Sequence, residues 1–182
     1  VRNNLPAFLG VNRPVGKYDV VHSYRAYFAR TDAPEPRYNY QLYLQEDGTV
    51  GFSWMITEID RTDALICRFY YPDDSEVLEA LRGLQDKNPQ MGTEMIYGGS
   101  RSVIPVCQPL GMLVADGYAA IGDSAFMTVP IIGSGIANSF KAARILADAV
   151  IADRDNAFSA ETLWQYQTGY YNKLGKGLAP LA

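Results

Sequence analysis

The stretch GYAAIGDSAFMTVPIIGSGI, Gly117 to Ile136, opens like a buried strand and closes like the start of a helix. Between the two lie one acidic residue, Asp123, and a glycine pair, Gly133 and Gly135. A carboxylate at the end of an apolar strand is costly if buried and needs donors. Backbone amides could supply them, and so could the hydroxyls of a bound sugar-like chain. A helix start offers free N–H groups and the positive end of the helix dipole. Glycine lets a ligand approach that backbone closely. The stretch therefore reads as a two-part cradle, with an acceptor for hydroxyls and donors for an electron-rich group. Taken bare, the same residues also make an ordinary cap and turn.

Working outward, residues 135–152 carry a helical stripe of Ile136, Phe140, Ala143, Ala147 and Val150. The frequent alanines suit close packing on a neighbour. A last helix is expected from about Ser159 to Lys173, with Leu163, Tyr166, Tyr170 and Leu174 on its buried side. Upstream of the stretch, MLVADGYAAIG predicts two short strands around Asp116–Gly117. Residues 91–110 read as extended chain broken by Gly98–Gly99, Pro105 and Pro109.

The first half is strand-rich. Residues 17–30 are β-branched and aromatic and predict a strand containing His22, the chain's one histidine, as a packing residue. Tyr38, Tyr40, Leu42 and Leu44 alternate with polar neighbours, and Asp47–Gly48 signals a hairpin. Val50, Phe52, Trp54 and Ile56 share one face of the returning strand. After a DRTD loop, Leu65, Cys67, Phe69 and Tyr71 share a face of the next. This is a meander with one apolar and one mixed face. Asp73 and Glu76 have capping-box spacing before Val77, Leu78, Leu81 and Leu84, and Asn88–Pro89 stops that helix. Strands, a helix, short strands and two helices make an α+β fold, without a βαβ repeat.

Composition excludes several functions. The net charge is −4 with scattered basic residues, so no nucleic-acid footprint exists. Cys67 and Cys107 with a single histidine provide no metal spacing; two buried free thiols in a reducing compartment are expected, with a disulfide as the second reading, and the location expected is cytoplasmic or peripheral to the membrane. There is no P-loop, no G-x-S-x-G elbow and no complete dinucleotide fingerprint, because Asn138 stands at the third glycine position. No acid–base dyad is evident, and no catalytic residue is assigned.

The spacing of the opening stretch is more specific than its parts. Gly122-Asp123-Ser124-Ala125, then Pro130, then Gly133-Ser134-Gly135-Ile136 resembles the second flavin-binding motif of FAD-dependent oxidoreductases with the aromatic hydroxylase type of fold. The likeness is greatest to the geranylgeranyl reductase family. That resemblance implies that Asp123 holds a ribityl hydroxyl of FAD. It also implies that the turn from Pro130 to Gly135 lies against the isoalloxazine, with the helix start at Ile136 facing its N1–C2=O edge. Reduction places negative charge there, and a helix N-terminus stabilises it. GFSWMITEID, 51–60, resembles the family's aromatic-x-Trp segment, which implies substrate contacts for Phe52 and Trp54. GGSRSVIPV, 98–106, resembles the strand returning to the flavin domain, and Val1-Arg2 the residues after the family's middle motif. Two positions depart from the pattern: Ile56-Thr57 replaces Phe-Pro, and Val129 replaces the Asn before the proline. The strand–GxGxxG–helix unit for the ADP half of FAD is not among the 182 residues.

The resemblance implies an antiparallel substrate-binding sheet domain with one helix over 1–105. Residues 106–182 would then be the C-terminal helical part of an FAD-binding domain. The expected function is a reductase or dehydrogenase acting on an apolar, isoprenoid or lipid-like substrate, served by an electron donor. A flavin monooxygenase of the aromatic hydroxylase type is the second reading, and a non-catalytic lipid-binding module the third. The isolated chain is expected to be inactive and not to retain FAD. Unpaired sheet edges would give it a route to self-association.

Overall fold

The computed structural model describes residues 5–11, 13–44, 51–130, 133–154 and 158–178. The expected Asp47–Gly48 turn and the Val1-Arg2 likeness lie outside the described residues. The chain forms two compact units, Val21–Val103 and a second made of Val1–Val20 with Ile104–Ala182. The first twenty residues thus group with the C-terminal segment, whereas the sequence reading counted them with the sheet.

The sheet unit contains β1 (Val20–Arg30), β2 (Tyr40–Leu44), β3 (Gly51–Thr57), β4 (Arg61–Arg68) and β5 (Met91–Pro105), in the order β2-β3-β4-β1-β5. β2–β3, β3–β4 and β4–β1 are antiparallel pairs. The expected DRTD loop is shorter than its four residues: Arg61, Thr62 and Asp63 already belong to β4, and the amide of Glu58 donates to the Arg61 carbonyl at 2.8 Å. β4 in turn ends at Arg68, before Phe69 and Tyr71. β5 bends where Gly98 and Gly99 take φ of 95° and 73°. A Cβ at Gly98 would lie 2.9 Å from the Arg25 carbonyl, so only glycine fits where β5 meets β1.

One helix, α2 (Asp74–Lys87), packs on this sheet. Its capping box is complete: Asp73 accepts from the Glu76 amide and Glu76 accepts from the Asp73 amide. Val77, Leu81 and Leu84 are buried against Ala26, Phe28, Met55, Ala64 and Ile66, while Leu78, expected in the same stripe, faces solvent. α2 therefore covers the mixed face of the meander. The face with the regular apolar alternation, Phe52, Trp54, Leu65 and Cys67, is the other one, and these residues are buried as well. His22 meets the Tyr71 ring edge-on at 5.7 Å, as a packing residue.

The second unit has its own core. It contains α1 (Leu5–Phe8), β6 (Val114–Ala115), β7 (Tyr118–Ala119), α3 (Ile136–Ala152), α4 (Ala160–Tyr170) and α5 (Lys176–Leu178). β6 and β7 pair around Asp116–Gly117 as expected. Gln167 pins the adjoining chain by donating to the Gly111 carbonyl at 3.1 Å and accepting from the Leu113 amide at 2.8 Å. Leu163, Tyr166 and Tyr170 are buried, and Leu174 packs beside them, as the spacing predicts. The Tyr166 hydroxyl donates to the Ala120 carbonyl at 2.7 Å.

The stripe on α3 is a correction. Ile136 and Phe140 are 73% and 74% exposed, and Val150 is also exposed. Ala142 and Ala149 are buried instead, with Ile145 and Leu146 packed beside them. The close contact there is made by the bare backbone of α4: a Cβ at Gly169 would sit 2.9 Å from a methyl of Ile145 on α3.

Candidate functional site

Asp123 does not end a strand. It lies in a 3-10 turn, Gly122–Ala125, after the two-residue β7. Its carboxylate is exposed and accepts from the Thr128 hydroxyl at 3.3 Å. The turn is closed by Phe126, a buried aromatic residue at φ 57°, whose amide donates to the Asp123 carbonyl at 3.2 Å. A bulky residue in the left-handed region is held there against a local cost, here by the core around its ring. Phe126 is thus a support for Asp123 that spacing alone did not reveal.

The segment then reverses. The Val129 amide donates to the Ser134 carbonyl at 2.9 Å, and the Gly133 amide to the Val129 carbonyl at 2.9 Å. Pro130 lies within this reversal, and Gly133 adopts φ 62°. Gly135 is the N-cap of α3, with no side-chain cap. Among the described residues no side chain caps the first-turn N–H groups of α3, from Ile136, which suit water or a ligand. Ser139 is turned inward, its hydroxyl donating to the Gly135 carbonyl at 2.8 Å.

The decisive contact runs across Gly135. A Cβ there would lie 3.4 Å from an Asp123 carboxylate oxygen and 3.3 Å from the Thr128 hydroxyl. The bare backbone at Gly135 thus lets the carboxylate of one turn and the start of the long helix adjoin. Gly122, Asp123, Pro130, Gly133, Ser134, Gly135 and Ile136 all belong to the second unit, and the contacts above gather the turn around Asp123 with the helix start. A carboxylate acceptor beside unsatisfied backbone donors suits a polyol attached to an electron-rich ring.

Phe52 and Trp54 lie in the sheet unit. Each is only 8% exposed. The Trp54 ring is approached by Tyr40, at 5.9 Å between centroids, and by the Arg25 guanidinium at 5.3 Å. Arg25 donates through Nε and Nη2 to both oxygens of Asp63, at 3.0 and 2.5 Å. This pairing was not anticipated, since the residues stand far apart in sequence and meet only through the register of β1 and β4. The Asp63 hydrogen bond raises the Arg25 pKa above its ordinary value and keeps it a cation.

Both cysteines are free and buried, and burial pushes the Cys67 thiol up to about 12. Among the described residues no group of acidic, histidine or cysteine side chains could hold a metal ion, and no helix is long and apolar enough to cross a membrane. A cleft of about 550 Å³ at the Arg30 end of the sheet unit is lined by Glu35, Asn39, Thr57 and Glu58, among others. Arg30 is neutralised there by Glu35, and the cleft contains neither the residues from Gly122 to Ile136 nor Phe52 and Trp54.

No family model matches the chain. It is 35% identical over 88 residues to a digeranylgeranylglycerophospholipid reductase of Methanothrix thermoacetophila, covering 47% of this chain and 21% of that protein. It is 32% identical over 128 residues to a digeranylgeranylglycerophospholipid reductase of Methanoculleus marisnigri, covering 67% of this chain and 31% of that protein. The chain thus spans about a fifth to a third of the length of these relatives. Its fold matches a geranylgeranyl bacteriochlorophyll reductase-like protein of Thermoplasma acidophilum with a TM-score of 0.75 at 17% identity, over 90% of this chain and 42% of that one. A flavin-dependent halogenase from Brevundimonas shares the fold less closely, with a TM-score of 0.60 at 17% identity, over 91% of this chain and 32% of that one. These matches, each to part of a longer protein, show that the chain has the fold of a geranylgeranyl reductase-like flavoprotein and is similar in sequence to part of the digeranylgeranylglycerophospholipid reductases.

Proposed function

We propose that the chain is the substrate-binding and flavin-contacting portion of an FAD-dependent reductase acting on an isoprenoid lipid. The observation that carries this is the approach of the Asp123 carboxylate to the uncapped start of α3 across Gly135. The residues present fit the ribityl–isoalloxazine half of FAD. Asp123 would accept from a ribityl hydroxyl, and the turn through Pro130, Gly133 and Ser134 would lie along the ring. The backbone from Gly135 to Ile136 would face the ring's electron-rich edge.

When bound, FAD supplies the hydride chemistry. The chain's own residues bind and orient. The first-turn amides and dipole of α3 favour negative charge at the edge they face. Thr128 holds one oxygen of Asp123 and leaves the other for a ligand hydroxyl. Phe52 and Trp54 would contribute to an apolar wall for substrate, in keeping with the names of the relatives, which specify geranylgeranyl chains on a phospholipid. A lipid substrate would set this work in the cytoplasm at a membrane surface, with a separate electron donor.

The 182-residue chain is expected not to retain FAD on purification, because a few hydrogen bonds do not offset the entropy of immobilising the ligand. Weak binding of the relevant half remains measurable. In 15N–1H spectra with millimolar FMN, we expect amide shifts concentrated at Asp123, Thr128 and Gly133–Asn138, and much reduced in Asp123→Asn. Shifts absent there, or concentrated elsewhere, would reject the assignment. In a flavin-loaded full-length enzyme, oxygen uptake coupled to hydroxylation in place of substrate reduction would favour the monooxygenase reading.

A further inference from the structure

The turn that carries Asp123 ends on Phe126, whose amide donates to the carbonyls of Gly122 and Asp123. The next amide, of Met127, donates to the Gly122 carbonyl at 3.1 Å. The left-handed backbone of Phe126 and the placing of the Asp123 turn are therefore one degree of freedom. A bulky residue leaves that region unless its side chain is held. The Phe126 ring belongs to the core of its unit. It has a further partner from the irregular lead-in: the carbon of the Arg13 guanidinium stands 5.5 Å from the ring centroid. Arg13 is itself anchored, because its Nη1 donates at 3.2 Å to an Asp19 carboxylate oxygen that also accepts from the Gly16 amide at 2.8 Å. Its charge and a hydrogen bond reach the Cys107 thiol, opposing the rise that burial imposes there. The Asp19 carbonyl accepts from the Val106 amide at 2.8 Å, and a few residues on the Leu110 amide donates to the Ala125 carbonyl at 3.1 Å. The lead-in and the Asp123 turn are thus braced against each other within one unit, with Arg13 at the ring.

We propose that Arg13, oriented by Asp19, is a positioning residue for Asp123. By holding the Phe126 ring it fixes the left-handed backbone on which the turn closes, and so sets the carboxylate for a ligand hydroxyl. Arg13 itself touches no ligand in this role. Its effect on the turn rests on the geometry above, while the use of that turn for a flavin rests on the proposed function. A cation over a ring contributes modestly, so losing it should weaken FMN binding about threefold.

The test uses the full 182-residue chain and two NMR readouts. One is the FMN affinity from amide shifts around Asp123. The other needs no ligand: the coupling between the Phe126 amide and α protons, which reports φ. Arg13→Gln keeps a hydrogen-bonding head near Asp19 and removes the charge, whereas Arg13→Lys keeps a cation over the ring. We expect about a threefold loss of FMN affinity and an altered Phe126 coupling in Arg13→Gln, with both restored in Arg13→Lys. In a Phe126→Leu background, which removes the ring, Arg13→Gln should cause no further loss. Arg82→Gln, on the exposed side of α2, removes a charge elsewhere and should leave both readouts unchanged. An unaltered affinity in Arg13→Gln, a loss equally large in Arg13→Lys or Arg82→Gln, or a full further loss without the ring overturns the positioning role and leaves the flavin reading standing. If FMN moves no resonance around Asp123 in the parent chain, the flavin reading fails and the coupling alone decides. A Phe126 coupling that is unchanged in Arg13→Gln then overturns the positioning role too, and one altered there but restored in Arg13→Lys upholds it.

Discussion

Asp73 shows how one side chain links sequence to pH response. Its pKa lies below the ordinary value, chiefly because the Ser75 hydroxyl and then the Glu76 amide donate to it. A depressed folded-state pKa contributes stability that is present above the unfolded value, about 3.9, and is lost as pH falls through the folded one. Amide exchange in the first turn of α2 should therefore accelerate below about pH 4. Asp73→Asn, which still caps, should flatten that dependence. An unchanged acid response in that variant would place its origin elsewhere. The thiols make a second residue-scale case. With Cys67 raised to about 12 by burial, the native chain should not react with a disulfide reagent at pH 8, and both cysteines should react after unfolding. Fast labelling of Cys67 in the folded chain would contradict its place on the sheet.

At the scale of elements, the contact between α3 and α4 depends on Gly169 and Ile145. Gly169→Ala gains roughly 1 kcal/mol of helix propensity but overpacks the contact by about 1–3 kcal/mol. A net loss near 1 kcal/mol is expected. Ile145→Leu removes the β-branch that the new methyl would strike. In the double variant it should recover at least half of the loss, as read from urea midpoints. Strictly additive losses would mean that the helices do not meet there. On the buried side of α3 lie Ala142 and Ala149 with Ile145 and Leu146 beside them, and Phe140 is left outside.

For the whole molecule, that outward face has a consequence in solution. Ile136, Phe140, Val150 and Ile151 leave apolar surface on a helix whose relatives are much longer proteins. Surface of this kind promotes association. We expect the 182-residue chain to self-associate on concentration. Phe140→Glu with Ile151→Lys should suppress this while shifting stability by no more than about 0.5 kcal/mol per site. Sedimentation velocity decides: a parent chain that stays monomeric, or a variant that associates equally, removes the argument. Edge-strand pairing would survive both substitutions, so the same measurement separates the two routes.

Short-range features were legible in the residues alone. The capping box at Asp73 and Glu76, the Asp116–Gly117 turn and the Leu163–Tyr166–Tyr170 side of α4 all appear where spacing places them, whereas the alternating Tyr40, Leu42 and Leu44 of β2 are exposed. Each depends on atoms within a turn or two of chain, or on one element's own period. The adjoining of Asp123 and Gly135 was legible for the same reason, since twelve residues of turn-rich chain bring them together. What only the tertiary structure decided was which face each amphipathic element buries, which strand registers pair Arg25 with Asp63, and how Phe126 is held. Those outcomes depend on the volume and approach of distant partners. A period marks an apolar face, but only close packing selects between two such faces.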